Sequence, residues 1–159
     1  MSIPVDGSAT TDVSTELVRP NDKMNPIIKG WWLAALRDPE RKQTKSHLRD
    51  EDGECCLGVL CDVAVANGVI PEPERVEFKP VYRFKDDKSL SGWNDAILPR
   101  SVREWAGLAI DNPVVTAIVE DYDEESGKLS VRSRVSLAEL NDNFGFSFAQ
   151  LADLIAAQL

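Results

Sequence analysis

The chain of 159 residues carries 18 basic and 27 acidic side chains, a net charge of −9, with 43% hydrophobic and 28% charged residues. That balance belongs to one globular domain large enough to bury a sizeable core, and the charge excludes a general affinity for nucleic acid or anionic membrane, both of which repel it at long range. No apolar run approaches the roughly 20 residues of a membrane span, and no charged segment followed by an apolar one opens the chain, so a soluble protein of the cytoplasm is expected.

Residues 1–23 are rich in Ser, Thr, Asp, Pro and Gly, lack a hydrophobic period and read as a disordered tail ahead of a single α+β domain at 24–159. Asn25-Pro26 is a helix start, an N-cap followed by a proline whose missing N–H costs nothing in the first turn. The helix runs to about Arg37, with Ile28, Trp32, Ala35 and Leu36 on one side, and Asp38-Pro39 ends it. Trp31 falls off that stripe and is either a second packing face or an exposed contact. From Arg37 to Arg49 the chain holds its one basic island, Arg37, Arg41, Lys42, Lys45 and Arg49, with the only histidine, His47. The acidic loop Asp50-Glu51-Asp52-Gly53-Glu54 follows, so mutual neutralisation is the simple explanation and phosphate capture the sharper one.

The stretch from Cys55 to Gly68 is apolar nearly all round, which as a helix requires burial at the centre of the domain, with Gly68 as a left-handed C-cap. Residues 76–84 alternate and read as short edge strands limited by Pro80, and a loop from Lys85 to Ile97 carries Trp93. Leu98-Pro99 opens a short helix that Gly107 closes. Strands at 114–120 and 129–135 flank a polar turn as a hairpin; Leu129, Val131, Ser133 and Val135 face one way and Ser130, Arg132 and Arg134 the other, towards water. Ser136-Leu137-Ala138-Glu139 and Ser147-Phe148-Ala149-Gln150 are capping boxes that start two final helices. The expected architecture is α+β: a buried central helix, a small antiparallel sheet with strands near 76–84, 114–120 and 129–135, and a C-terminal αα-hairpin.

No catalytic grammar emerges, no metal site and no cofactor-binding motif. The two C-terminal helices resemble a helix-turn-helix in spacing, but Ser147–Leu159 holds no Lys or Arg to reach bases or phosphates, so no direct DNA binding is expected. The turn Asp121-x-Asp123-x-Glu125-x-Gly127 misplaces the glycine and lacks the closing glutamate of a calcium loop. Cys55, Cys56 and Cys61 with His47 would make a Cys3His zinc set only at an unusual spacing, and three buried structural thiols are the simpler reading. A thiol-dependent enzyme centred on Cys55 has one argument, placement at a helix N-terminus, and no nameable third group. Trp31, Trp93 and Trp105, with Tyr82, Tyr122 and the basic segment of Arg41, Lys42, Lys45, His47 and Arg49, would form an aromatic and cationic pocket for a small nucleotide-like ligand if the fold brings them together.

Four pieces in order carry a family resemblance: Trp32-Leu33-Ala34-Ala35-Leu36-Arg37 with Gln43 and Leu48; Cys55-Cys56-Leu57-Gly58-Val59-Leu60-Cys61-Asp62; Leu98-Pro99-x2-Val102-x2-Trp105-x-Gly107-Leu108; and Leu140-Asn141-Asp142-Asn143-Phe144-Gly145-Phe146-Ser147-Phe148. Over 26–159 the chain resembles a family of small uncharacterised proteins encoded by bacteriophages and prophages, the Cys-Cys-Leu-Gly-Val-Leu-Cys block being the most distinctive piece. The resemblance implies a setting, a phage protein made inside a bacterial cell, and no activity. The expectation is a non-enzymatic accessory protein that binds a host or phage macromolecule, such as a component of bacterial defence, through an acidic or apolar surface. A binder of a small nucleotide-like signal is the alternative, followed by the thiol enzyme.

Overall fold

The computed structural model describes residues 23–159; the tail read at 1–23 lies outside them except for Lys23. Asn25 caps helix α1 (Pro26–Leu36), its side-chain oxygen accepting from the N–H groups of Ile27 at 2.9 Å and Ile28 at 3.2 Å. Ile28, Trp32 and Leu36 are its buried stripe. The Trp32 indole N–H donates to the Cys56 carbonyl at 3.0 Å, so the largest buried ring also finds a polar partner and fixes α1 on the next helix.

That next helix, α2 (Cys56–Ala66), lies at the centre, with every residue from Cys56 to Cys61 buried. Gly58 is required there because a Cβ would overlap the Leu48 carbonyl, which also accepts from the Cys55 N–H at 3.2 Å. Asn67 follows the last turn, Gly68 takes a φ of +75°, and Val69 N–H returns to the Ala64 carbonyl at 2.9 Å, closing the helix as a left-handed cap does. Helix α3 (Arg100–Ala106) ends on Gly107 in the same conformation, and α4 (Leu137–Asp142) and α5 (Phe148–Gln158) form the C-terminal pair. The Ser147 box is complete and reciprocal with Gln150. At Ser136 only the hydroxyl half forms, since the Glu139 carboxylate is drawn instead to Arg132.

The fold is α+β, with its strands in two antiparallel sheets. In the first, β4 (Val81–Lys85) pairs with β1 (Arg49–Asp50), β3 (Glu74–Arg75) and β5 (Trp93–Asn94), while β1 also pairs with β2 (Gly53–Glu54). The strand read over 76–84 is thus β4 alone, and Phe78, at a φ of +63°, and Pro80 sit in the loop before it. The second sheet is the ribbon β6 (Val114–Asp123) with β7 (Lys128–Ser136), longer than the sequence pattern marks and bulged between Thr116 and Val119. The core gathers α1, α2 and α5 with α4 packed on α2, and Val115, Val119 and Val135 bring the base of the ribbon into it. Among the described residues no helix is long and apolar enough to cross a membrane.

Candidate functional site

The basic island folds back on the acidic loop. Arg41, Lys42 and Arg49 line a depression of about 360 Å³ together with six carboxylates, those of Glu40, Asp50, Glu51, Asp52, Glu54 and Asp62. With carboxyl groups outnumbering the three cations, it is a poor receptor for phosphate. Arg41 is already engaged, one guanidinium nitrogen lying 2.8 Å from Glu54 Oε1 and 3.1 Å from Asp62 Oδ2. Glu54 is 8% exposed, and neither its Oε2 nor Arg41 Nε meets a conventional partner. Burial pushes the Glu54 carboxyl well above the usual carboxylate range, the adjoining Asp62 adds to this, and Arg41 opposes it. A proton retained on Glu54 removes the repulsion with Asp62 and the cost of burying the ion. At Asp50, burial raises the pKa, but hydrogen bonds from the Thr44 hydroxyl and the N–H groups of Asp52 and Gly53 outweigh it and hold the carboxyl low. Arg49 spreads its guanidinium over the Tyr82 ring, 4.7 Å from the centroid.

The other residues singled out from the sequence are dispersed. Lys45 is exposed and His47 half-buried, and neither lines the Arg41 depression. Trp31 stacks on Trp105 of α3 with ring centroids 6.4 Å apart. Trp93 borders a different depression, of about 500 Å³, with Val76, Arg83, Ser91, Asn94 and Asp95. Its ring is already met by the Arg83 guanidinium at 4.1 Å and the Lys85 ammonium at 4.9 Å. Of the aromatic residues, Tyr82 meets the 41–49 cation Arg49, whereas Trp31 and Trp93 do not line the Arg41 depression.

The thiols are enclosed. Cys55 occupies the N-cap position of α2, yet burial pushes its thiol up to about 12, and the same cause holds Cys56 and Cys61 well above the ordinary thiol range. A thiol that stays protonated at neutral pH is no nucleophile, so helix placement loses to desolvation here. Among the described residues no three His, Cys, Asp or Glu side chains converge as a metal site needs.

Two features carry no sequence signature of their own. The first is a polar node at Asn141, which is 1% exposed. Its Oδ1 accepts from Gln43 Nε2 at 2.7 Å and the Cys56 N–H at 3.3 Å, and its Nδ2 donates to the Thr44 carbonyl at 2.8 Å and to Asp142 Oδ1 at 2.8 Å. Gln43 Oε1 in turn accepts from Phe148 N–H at 3.2 Å, so one network joins the basic segment to the starts of α2 and α5. The only hint was two uncharged polar residues in the segments that carry the family resemblance.

The second is the distal part of the ribbon. Tyr122 stands opposite Leu129 and Glu120 opposite Val131, so these four share one face beyond the bulge. Ile118, Tyr122, Leu129 and Val131 are exposed by between 58% and 71%. Leu129, Val131, Ser133 and Val135 do share a side of β7, but only Val135 is covered, because the ribbon outruns the helical body. Arg132, read as facing water, is half-buried on the opposite side. Its guanidinium holds the Glu139 carboxylate at 2.9 and 3.0 Å and lies 6.0 Å from the Phe144 ring. The Asp123 carboxylate accepts from the N–H of Glu125 at 2.9 Å and helps close a turn that also carries Glu124, so the apolar face ends in a run of acids.

The profile of a protein family described as "Domain of unknown function (DUF8296)" matches residues 24–159, and the chain belongs to that family. No curated protein matches it, and neither does any solved structure.

Proposed function

We propose that this chain is a phage-encoded accessory protein that acts without catalysis in the cytoplasm of a bacterial host, by binding a protein through the distal β6–β7 ribbon. The carrying observation is the exposed apolar face of Tyr122, Leu129 and Val131, with Ile118 exposed at the bulge, ending in the turn that carries Asp123, Glu124 and Glu125. Large apolar side chains left uncovered by the fold mark an interaction surface. The acidic end and the net charge of −9 select a partner whose surface is basic around an apolar patch. A nucleic-acid-handling component of host defence has that chemistry, and the ribbon would compete for the surface that meets nucleic acid. The small-anion alternative loses support from the carboxylates that surround Arg41, and the thiol alternative from burial of all three sulfurs.

The test is a bacterial lysate probed with the full chain carrying p-benzoylphenylalanine in place of Tyr122. The parallel sample adds Leu129→Thr and Val131→Thr. The expected result is one basic protein cross-linked through position 122, captured at least tenfold less by the second sample. Capture that survives both substitutions, or cross-links at background level, would remove the ribbon as the binding surface.

A further inference from the structure

We infer that the outer edge of β6 is a strand-addition site, taking an extended basic segment of the partner with one apolar side chain seated against Phe144 and Phe146; this rests on the binding reading above.

Among the described residues β6 has a strand neighbour on one edge only, β7. At the base of the other edge the fold supplies a substitute strand from a side chain. Gln158 of α5 presents its carboxamide to Thr116, Oε1 accepting from the N–H at 2.7 Å and Nε2 donating to the carbonyl at 2.8 Å. A peptide group of an added strand would make the same pair of bonds, so Thr116 shows which way this edge turns its donors and acceptors. Immediately beyond lies a depression of about 480 Å³, lined by Ile118, Val119, Glu120, Phe144 and Phe146. The two phenylalanines come from the connection between α4 and α5, so the edge and the groove belong to different parts of the chain that meet at the bulge.

Edge strands are ordinarily guarded by lysine, proline or an inward charge. The stretch Val114-Val115-Thr116-Ala117-Ile118-Val119 has none of these, its guards being the bulge after Thr116 and Gln158 at its base, and the first charges after it, Glu120 and the Arg132-paired Asp121, are negative. An edge of this kind favours a strand that brings Lys or Arg at alternate positions and an apolar side chain between them. Ladder hydrogen bonds would supply affinity, and the groove between Ile118 and the two rings would supply selection.

The experiment uses the ¹⁵N-labelled full chain and an acetylated, amidated hexapeptide of alternating Lys and Val. Two further peptides isolate the mechanism: the same sequence with alternate backbone amides N-methylated, and a Glu-Val version. Expected are amide shift changes confined to residues 116–123 and 144–146, slower amide exchange along β6, and no binding of the Glu-Val peptide. N-methylation should weaken binding by about tenfold or more, the worth of one ladder bond or two, and Ile118→Ser should weaken it as well. Equal affinity for the N-methylated peptide, shifts elsewhere, or no binding at millimolar peptide would each overturn strand addition. If the cross-linking partner is captured through position 122 in the same preparation, only the mode of contact falls; if both fail, the binding reading falls with it.

Discussion

Helix α2 and the distal β6–β7 ribbon are both built from branched apolar residues, yet the fold treats them in opposite ways. In α2 the whole Cys-Leu-Gly-Val-Leu-Cys run is buried, touching α1, α3 and α4. In the ribbon, Tyr122, Leu129 and Val131 beyond Val119 and Val135, and Ile118 at the bulge, stand in solvent, while Arg132 on the other side reaches back to Glu139 of α4. The composition of α2 is explained by the core alone. That of the distal ribbon is not, since a polar alternate face would fold equally well. Residues that the fold does not need are the ones to ask about function.

The contrast is sharpest at Gly58. Its Cβ position coincides with the Leu48 carbonyl, and backbone on backbone cannot yield by a side-chain rotation. Gly58→Ala should therefore cost about 3 kcal/mol or more, by overpacking that the surrounding core cannot relieve. Thermal unfolding should show this as a fall in Tm of roughly 10 °C; a Tm unchanged within a degree would mean that α2 and the 48–49 segment are not locked together. Next in size is Asn141→Ala, which strips partners from Gln43, the Cys56 N–H and the Thr44 carbonyl at once. A loss of about 2–3 kcal/mol is expected from polar groups left buried and unpaired. Asn141→Asp should not restore it, because a carboxylate cannot donate to Thr44.

How far these two regions were legible from sequence follows from the range of the forces that shape them. Caps and stops are local, so Asn25, Gly68, Gly107 and Ser147 announce their helices correctly. The burial of α2 was legible because an apolar circumference has only one stable location. The ribbon's pairing was legible, but its exposure was not: alternation says which residues share a side, not whether another element covers that side. Likewise Arg132 could not be assigned to Glu139, nor Gln43 to Asn141 98 residues away, since neither partner is set by local spacing. The basic island was read as one patch; the structure splits it, with Arg41 turned inward to Glu54 and Asp62 while Lys45 stays in solvent.

Glu54 tests the same boundary between core and surface through pH. Its folded-state pKa is raised above the ordinary value of 4.5 by burial first and by Asp62 second. A raised pKa means the contribution to stability is fully present below about pH 4.5 and is lost as pH rises through the folded value. Asp50 has the opposite sign: its carboxyl is held low, so its contribution is present above the unfolded pKa and is lost only as pH falls through the folded one. The two losses fall in separate ranges, that of Asp50 below its ordinary value of 3.8 and that of Glu54 between 4.5 and about 9. Glu54→Gln keeps a neutral donor towards Asp62 and cannot ionise, so its Tm should match the wild type near pH 5 and exceed it increasingly towards pH 9. A constant offset at every pH would mean that Glu54 is ionised throughout and that Arg41 alone balances both carboxylates.

The smallest effect is the most informative. Leu129→Thr and Val131→Thr place β-branched residues suited to a strand at both positions and remove apolar surface that already faces water. Together they should change stability by about 1 kcal/mol or less, most of it from the lost Tyr122–Leu129 cross-strand contact. Chemical denaturation of the pair reads this directly, and the denaturant slope should not move. A loss of 2–3 kcal/mol would place these side chains among the residues the fold depends on, and the argument from unneeded apolar surface would fail. A loss within the expected range, combined with loss of capture through position 122, would separate what the ribbon contributes to folding from what it contributes to binding.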